Sequence, residues 1–240
     1  MHPLPVQYDT APAPGTDQTT DNVKANSAAT CKAYVYANGP SGRAAPKHRD
    51  GLTVALNGAL SLFADPFRPA DLWMACDPQG LVADFLDGGH ARAYMPATKC
   101  HPTVYRKLMG DGALILPWNV GDVSMIEHPD LPVIMPAASI TTTAIGKLYR
   151  EGKRDITVYG WDCCYLDGKH HAFDQEHWND DDTTVMVGED VFHTTHTWAH
   201  EVHDAMSYIA AFCPDLSLTV VGPGMVGAIM RYRQVSYIKQ

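Results

Sequence analysis

The stretch Lys32-Ala33-Tyr34-Val35-Tyr36-Ala37-Asn38-Gly39-Pro40-Ser41 joins an apolar run to a polar turn. An apolar run bounded by turn residues is typical of a buried strand, so residues 32–37 predict one. Gly39 would let the backbone approach a ligand closely, and the exposed N–H groups of the turn, with the Ser41 hydroxyl, could hold a phosphate. The stretch therefore predicts a sheet with a ligand-binding turn at the carboxyl end of its first strand.

Apolar runs of similar length alternate with helical patterns along the rest of the chain. Further strands are predicted at 52–56, 71–76, 91–95, 113–116, 132–135, 155–160 and 216–221. One helix is predicted from Ser139, which can cap it, to Gly152, which allows a left-handed turn. Another is predicted from about Thr197 to Phe212. This alternation predicts an α/β, Rossmann-like fold, in which a mostly parallel sheet carries helices on both faces.

The composition is that of a globular and acidic protein. The 240 residues are 45% hydrophobic, which is normal for a folded core, and their formal net charge of −9 argues against a general nucleic-acid binder. No apolar run reaches the length of a membrane span, and the N-terminus lacks the pattern of a secretory signal. The six Cys form no C-x-x-C pair, so free thiols and a cytoplasmic location are expected.

The chain divides into two parts by composition. Residues 1–30 are rich in Pro, Thr, Asp, Asn and Ala and contain almost no large apolar side chains. Such a segment buries too little surface to offset the entropy of ordering, so a disordered tail is predicted. Residues 31–240 are expected to form a single domain.

Polar residues follow several of the predicted strands, where α/β sheets bind their ligands. Besides Asn38 in the first turn, Asn57 could recognise a base or ribose edge through its amide. Asp77 and Asp162, if they converge, could hold Mg²⁺ through carboxylate oxygens. Any one of these residues is better explained by local turn structure. Their repetition at the ends of four strands nevertheless favours a binding site.

A run of hydroxyl residues opens the predicted helix at 139–152. Ser139, Thr141, Thr142 and Thr143, with the first N–H groups of the helix, could bind an anion. N-capping would explain Ser139 but not three successive Thr, which are mediocre helix formers. The chain contains neither G-x-G-x-x-G nor G-x-x-x-x-G-K-[ST], which argues against a dinucleotide fingerprint and a P-loop.

Histidines concentrate late in the chain, where seven of the 12 lie between positions 170 and 203. The series His193, His196, His200 and His203 would share one face of a continuous helix and could bind a transition metal. However, His200-Glu201-Val202-His203 does not match H-E-x-x-H. Because His193 and His196 are also expected to precede the helix, a polar helix face is the simpler interpretation.

A histidine pair follows a predicted turn. Asp167 and Gly168 favour a turn or hairpin, which would place His170 and His171 near the carboxyl end of the strand at 155–160 and close to Asp162. An imidazole exchanges its proton near neutral pH and therefore suits acid or base catalysis. An exposed polar loop explains the same residues equally well.

The segment Gly160-Trp161-Asp162-Cys163-Cys164-Tyr165-Leu166-Asp167-Gly168-Lys169-His170-His171-Ala172 resembles the G-x-D-x-x-(Y/F)-x-D-G-x-x-H-A signature of the MptE-like family. Segments at 38–41, 55–59 and 71–78 resemble other motifs of that family in the same order, so the resemblance covers about residues 32–222. It implies a Rossmann-like fold. In the diphosphokinase members it also implies transfer of diphosphate from ATP to a pterin alcohol with Mg²⁺.

The turn Asn38-Gly39-Pro40-Ser41 is also similar to an N-G-P-S turn of a bacterial sialyltransferase family. This resemblance implies a nucleotide-sugar donor and a catalytic His just before a helix. His193 is the nearest match to that His.

These observations lead to one main hypothesis and two alternatives. The main hypothesis is a transferase with a nucleotide-activated donor: MptE-like diphosphate transfer from ATP to a hydroxymethyl-type acceptor with Mg²⁺. Its partners would be a nucleotide and a hydroxyl acceptor, without a membrane or nucleic acid. The alternatives are a sialyltransferase-like glycosyltransferase and a non-catalytic accessory module that binds a nucleotide or metal.

The hypothesis assigns roles to specific residues. The expected nucleotide-binding residues are Asn38, Gly39, Pro40, Ser41, Asn57, Ser139, Thr141, Thr142 and Thr143. The expected Mg²⁺ ligands are Asp77 and Asp162. The expected catalytic residues are Asp162, Asp167, His170, His171 and His193.

Overall fold

The central feature of the fold is a parallel sheet, seen in a computed structural model that describes residues 31–121, 128–172, 182–232 and 236–237. The predicted tail at 1–30 lies outside these ranges. Their strands are β1 Lys32–Tyr36, β2 Leu52–Leu56, β3 Ala70–Ala75, β4 Ala91–Pro96, β5 Asp155–Tyr159, β6 Asp182–Val187, β7 Asp190–Thr195, β8 Ser217–Val221 and β9 Ser236–Tyr237. Their α-helices are α1 Pro102–Gly110, α2 Ile140–Arg150, α3 His196–Phe212 and α4 Met225–Tyr232. Short 3₁₀ helices span Pro40–Ala44, Asn57–Phe63 and Gly80–Asp87.

Six of these strands form one sheet in the order β4-β3-β2-β1-β5-β8, and all neighbouring pairs are parallel. Every residue of β1 after Lys32 is buried. Because successive side chains of a strand point to opposite faces, this burial requires covering layers on both sides of the sheet. The α/β, Rossmann-like fold predicted from the sequence is confirmed.

The strand order reverses at β1. The chain steps outward from β1 through β2 and β3 to β4, and then returns to place β5 on the other side of β1. Two backbone hydrogen bonds extend the β1–β5 pairing beyond the strands, from Ala37 N to Tyr159 O and from Gly39 N to Gly160 O, each 2.8 Å long. The chain leaves β1 and β5 towards strands on opposite sides of this pair, so their carboxyl ends form a topological switch point, where open α/β sheets bind ligands.

Both predicted helices form close to their predicted limits. Ser139 caps α2, because its Oγ accepts a hydrogen bond from Thr142 N at 3.3 Å, and Gly152 has the predicted left-handed conformation with φ +86°. Thr195 caps α3 in the same way, since its Oγ1 accepts from Trp198 N at 3.1 Å. Local capping thus explains where each helix begins.

Two predicted strands are wrong. The segments at 113–116 and 132–135 form only isolated bridges, Tyr94 with Ile115 and Asn119 with Val133. Pro117 follows the first segment and Pro132 opens the second, and neither can donate a ladder hydrogen bond. These segments extend the β4 side of the sheet without joining it as strands.

The sequence prediction missed an antiparallel hairpin that follows β5 along the chain and precedes α3. Strands β6 and β7 pair over their whole length and turn at Gly188, which has φ +62°. Strand β9 adds to the free side of β6. The hairpin matters for the site because it contains His193 and leads directly into α3.

Two further expectations concern the exterior and the cysteines. No helix within the described ranges is long and apolar enough to cross a membrane. The six cysteines are all free thiols, as their spacing predicts.

Candidate functional site

A cavity of about 410 Å³ opens at the switch point. The ends of β1, β2, β3 and β5 form its floor, while the start of α2, the turn after β5 and the start of α3 form its walls. The structure therefore brings the predicted strand-end residues into one space, which is the arrangement that α/β sheets use to bind ligands.

Most of the predicted site residues line this cavity. Those in its wall are Asn38, Gly39, Asn57, Asp77, Ser139, Thr141, Thr143, Asp162, His170 and His171. Those outside the lining are Pro40, Ser41, Thr142, Asp167 and His193. The structure thus separates the predicted set into residues that line the cavity and residues that do not.

Asp162 acts as a clasp between the two strand ends. Its carboxylate is 2% exposed and accepts two hydrogen bonds from Ser41, one from the backbone N at 2.8 Å and one from Oγ at 2.6 Å. Burial raises the pKa of Asp162, and the two Ser41 hydrogen bonds oppose that rise because they favour the charged form. Ser41, which was predicted to bind nucleotide, donates both of these hydrogen bonds to the Asp162 carboxylate.

Glycines allow the turns around Asp162 to pack closely. A Cβ on Gly39 would collide with Gly160 O and lie 2.6 Å from Asp162 Oδ2, and one on Gly224 would lie 2.5 Å from Asp162 Cα. Gly160 itself has φ +70°, a conformation that favours glycine. The turns after β1, β5 and β8 therefore pack around Asp162 at distances that no larger residue permits.

The residues predicted to bind Mg²⁺ are both engaged in hydrogen bonds within the protein. Both oxygens of Asp162 are engaged by Ser41, and Asp77 Oδ1 accepts from Gln79 N at 2.9 Å within its own turn. Among the described residues, no group of three or more His, Cys, Asp or Glu side chains is arranged to hold a metal ion. Asp162 therefore has a structural role as a clasp, and its role as a metal ligand stays a prediction.

Asn57 lines the cavity and carries a buried acceptor. Its backbone has φ +47°, and its carbonyl accepts from Trp73 Nε1 at 3.0 Å, which fixes this turn at the end of β2. Its side-chain Oδ1 is buried and has no hydrogen-bond partner within the described structure. A buried acceptor without a partner is costly, so a ligand that donates a hydrogen bond here would be stabilised.

The start of α2 forms the opposite wall. Ser139 Oγ caps Thr142 N and lies 3.2 Å from Thr142 Oγ1, and Thr143 Oγ1 accepts from Ala137 N at 3.0 Å. These hydroxyls therefore have the local role that capping predicts. The N–H groups of Ile140 and Thr141 belong to the first turn, which lacks intrahelical acceptors and is electropositive. This end of α2 is suited to an anionic ligand group.

An aromatic and histidine wall closes the remaining side. Asp167 and Gly168 form the predicted tight turn, both with positive φ, and the chain then brings His170 and His171 to the cavity. The His170 ring stacks on Trp198 with centroids 4.1 Å apart, and His171 meets His170 edge-on at 4.3 Å. The turn therefore places both imidazoles in the wall of the cavity that Asp162 also lines, as the sequence predicted.

The cavity residues that sequence reasoning missed include Lys99, Trp198 and Glu201. Lys99 supplies positive charge near the end of β4, whereas Glu201 adds a carboxylate beside the histidine wall. The spacing of Trp198 and Glu201 could have indicated that both belong to the site, since residues three apart share one face of a helix. Only the histidines of this helix were considered as candidates from the sequence.

The late histidine series lies away from the cavity. His193 is exposed on β7, where its backbone carbonyl accepts from Tyr165 N at 2.8 Å. It precedes α3, as predicted, but its placement does not suit the predicted catalytic role in the cavity. His196, His200 and His203 are all exposed on α3. The switch-point cavity and the series are therefore separate features.

Comparisons with known proteins give a fold without a family. No protein-family model matches the chain, and no curated protein matches it. The fold is similar to that of the MAf glycosyltransferase from Magnetospirillum magneticum AMB-1, with a TM-score of 0.57 and 11% identity. That match covers 85% of this chain but 36% of the other, so this chain spans about a third of that glycosyltransferase's length.

A second solved structure gives a weaker match. The sialyltransferase CstII from Campylobacter jejuni, in complex with the substrate analogue cytidine-5'-monophosphate, aligns with a TM-score of 0.38 and 12% identity over 80% of each chain. Neither of these structures is a diphosphokinase, and neither supports the MptE-like resemblance specifically. The MAf match supports the α/β fold of this chain.

Proposed function

We propose that the chain is a glycosyltransferase module that binds a nucleotide sugar in the switch-point cavity and transfers the sugar to a hydroxyl acceptor. The observation that carries this proposal is the position of the cavity, at the reversal between β1 and β5. Ligands of open α/β sheets bind at such a reversal, and the fold is shared with the MAf glycosyltransferase. The cavity volume of about 410 Å³ is within the range of small-molecule sites.

The donor would lie between Asn57 and the start of α2. Asn57 Oδ1 would accept a hydrogen bond from the base or ribose, which supplies the partner it lacks. The donor phosphate would face the N–H groups of Ile140 and Thr141, where the helix dipole favours negative charge. Lys99 would supply the compensating positive charge within the same cavity.

The acceptor would approach along the wall formed by His171, Trp198 and Glu201. In the transfer, the bond between the anomeric carbon and the donor phosphate oxygen breaks, and the nucleotide leaves with the electron pair. The acceptor oxygen forms the new bond to the anomeric carbon, and His171 takes the proton of the acceptor hydroxyl as general base. Glu201 would orient the hydroxyl.

Glycosyl transfer is preferred over diphosphate transfer from ATP because the fold is shared with the MAf glycosyltransferase. The carboxylates of Asp77 and Asp162, which the diphosphokinase hypothesis requires for Mg²⁺, already accept hydrogen bonds within the protein. The amides, hydroxyls, helix N-terminus and Lys99 of the cavity suit the base and phosphate of a nucleotide donor.

The experiment is an equilibrium-binding panel with CMP-, UDP- and GDP-linked sugars and with ATP plus Mg²⁺, followed by an assay of nucleotide release with sugar acceptors. We expect one class of nucleotide sugar to bind, and Asn57→Ala to weaken it at least tenfold. His171→Ala should retain donor affinity but lose about 10²-fold or more in turnover, the size of a general-base contribution. His193→Ala, outside the cavity, is the matched control and should keep full turnover.

Three results would redirect the assignment. Binding of ATP with Mg²⁺ but of no nucleotide sugar would favour the diphosphokinase hypothesis. Tight binding of a nucleotide sugar without turnover on any acceptor would favour an accessory module. Loss of turnover in His193→Ala but not in His171→Ala would transfer the catalytic role to β7.

A further inference from the structure

We propose that the outer face of α3 is a surface site for a divalent transition-metal ion, bound by the imidazoles of His196 and His200 with His203 beside them. These three residues are called the histidine face. The proposal is independent of the glycosyltransferase assignment, because the histidine face lies outside the switch-point cavity.

The geometry of α3 places the three imidazoles along one face of the helix. At 100° per residue, positions 196, 200 and 203 fall within an arc of about 60°, and they span two turns of the helix. His196 and His200 are four residues apart, the spacing at which two histidines on one helical face can bind a single metal ion. His203 is three residues beyond His200 and offers a second pairing with it.

The histidine face is accessible along its whole length. His196, His200 and His203 are each exposed, and none of their imidazoles has a hydrogen-bond or ion-pair partner in the part of the chain that the structure describes. The buried residues of α3, Val202 and Ala205, lie on the opposite side of the helix. The rings are therefore available to an ion, and binding one requires no rearrangement of the core.

The chemistry of the ligands selects the class of ion. Imidazole nitrogen suits Zn²⁺, Ni²⁺ and Cu²⁺, whereas Mg²⁺ prefers oxygen ligands. The formal net charge of −9 adds a general attraction for cations. The ion would be held by two imidazoles, with water completing its coordination.

This site differs from a structural metal centre. No three described His, Cys, Asp or Glu side chains are arranged to hold an ion. The start of α3 is already fixed by the Thr195 cap, and its inner side packs through Val202 and Ala205. The fold therefore does not depend on the metal, and the ion should exchange with solution.

The test is calorimetric titration of the full chain, cleared of metal with a chelator, with Cu²⁺, Ni²⁺, Zn²⁺ and Mg²⁺ separately. We expect saturable binding of one ion of each transition metal, tightest for Cu²⁺ as the Irving–Williams order requires, and no binding of Mg²⁺ at the same concentrations. His200→Ala should weaken binding at least tenfold, because His200 belongs to both pairs. His90→Ala removes an exposed imidazole elsewhere and is the matched control.

The decisive comparison is between these two variants. Equal affinities for His200→Ala and the parent chain would overturn the proposal, since the ions would then bind elsewhere. Absence of saturable binding to the parent would also overturn it. Because His200 is exposed, the His200→Ala variant should show the parent's thermal unfolding when no metal is present, so a loss of affinity would not reflect misfolding.

Discussion

Replacing Asp162 with Asn tests whether the buried clasp holds the switch point together. The Asn Oδ1 can still accept from Ser41 N, and its NH₂ group can donate to Ser41 Oγ, but both hydrogen bonds lose their charged partner. A hydrogen bond to a charged group contributes about 1.5–3 kcal/mol, whereas one between neutral groups contributes about 0.5–1.5 kcal/mol. We therefore expect Asp162→Asn to lower the free energy of unfolding by about 2 kcal/mol.

The assay is urea unfolding of the parent chain, Asp162→Asn, Ser41→Ala and the double variant. Ser41→Ala removes only the Oγ donor and retains the backbone bond, so it should cost less, about 1–2 kcal/mol. Because the two side chains share one interaction, the double-mutant cycle should show a coupling energy of at least about 1 kcal/mol. Additive effects within about 0.3 kcal/mol would refute the clasp.

The raised pKa of Asp162 gives the same residue a pH dependence. Its pKa in the folded chain lies above that of an exposed Asp because burial disfavours the carboxylate. The folded chain therefore holds the proton more tightly than the unfolded chain, so the contribution is complete below the unfolded pKa and is lost as the pH rises through the folded one. The stability difference between the parent and Asp162→Asn should change across that acidic window, and a flat difference would contradict this account.

Three further predictions use the same structure. Gly39→Ala should lower the free energy of unfolding by about 2 kcal/mol or more, because the added Cβ would collide with Gly160 O. The control Gly110→Ala adds a Cβ that meets nothing within 4 Å, so it should leave the urea midpoint unchanged or raise it. Equal effects of the two variants would contradict the close packing. Burial raises the pKa of Cys164 to about 11, so at pH 8 only about one thiol in a thousand is ionised, and mass spectrometry should find alkylation of the exposed Cys31 long before Cys164. Asn57→Gly should raise the urea midpoint slightly by relieving φ +47° while weakening nucleotide-sugar binding at least tenfold, and retained affinity would show that the amide does not contact the donor.

The fold could be predicted from sequence because the buried strands are continuous apolar runs. Strand β1 and its neighbours can be recognised from their own residues, without knowing which strands they pair with. Ser139 and Gly152 likewise mark the two ends of one helix from the local sequence alone. The segments at 113–116 and 132–135 have the same apolar character, but Pro residues interrupt their ladders. The hydrophobic pattern alone does not show that these Pro residues cannot donate the hydrogen bonds of a strand.

The site was predictable in outline but not in its internal contacts. Strand ends converge in any parallel sheet, so Asn57 and Asp162 could be placed at one edge without a structure. The sequence does not reveal that Asp162 binds Ser41, because the two residues are 121 positions apart. We expected His193 and His196 both to precede the helix; His193 does so on β7, but His196 is the first residue of α3.

The most direct test of the central claim is a crystal structure of the chain with the nucleotide sugar that the binding panel selects. We predict the base or ribose within hydrogen-bond distance of Asn57 Oδ1, the phosphate at the first turn of α2, and the sugar facing His171. A nucleotide bound outside the switch-point cavity, or one held there through Mg²⁺ on Asp77 and Asp162, would contradict the account.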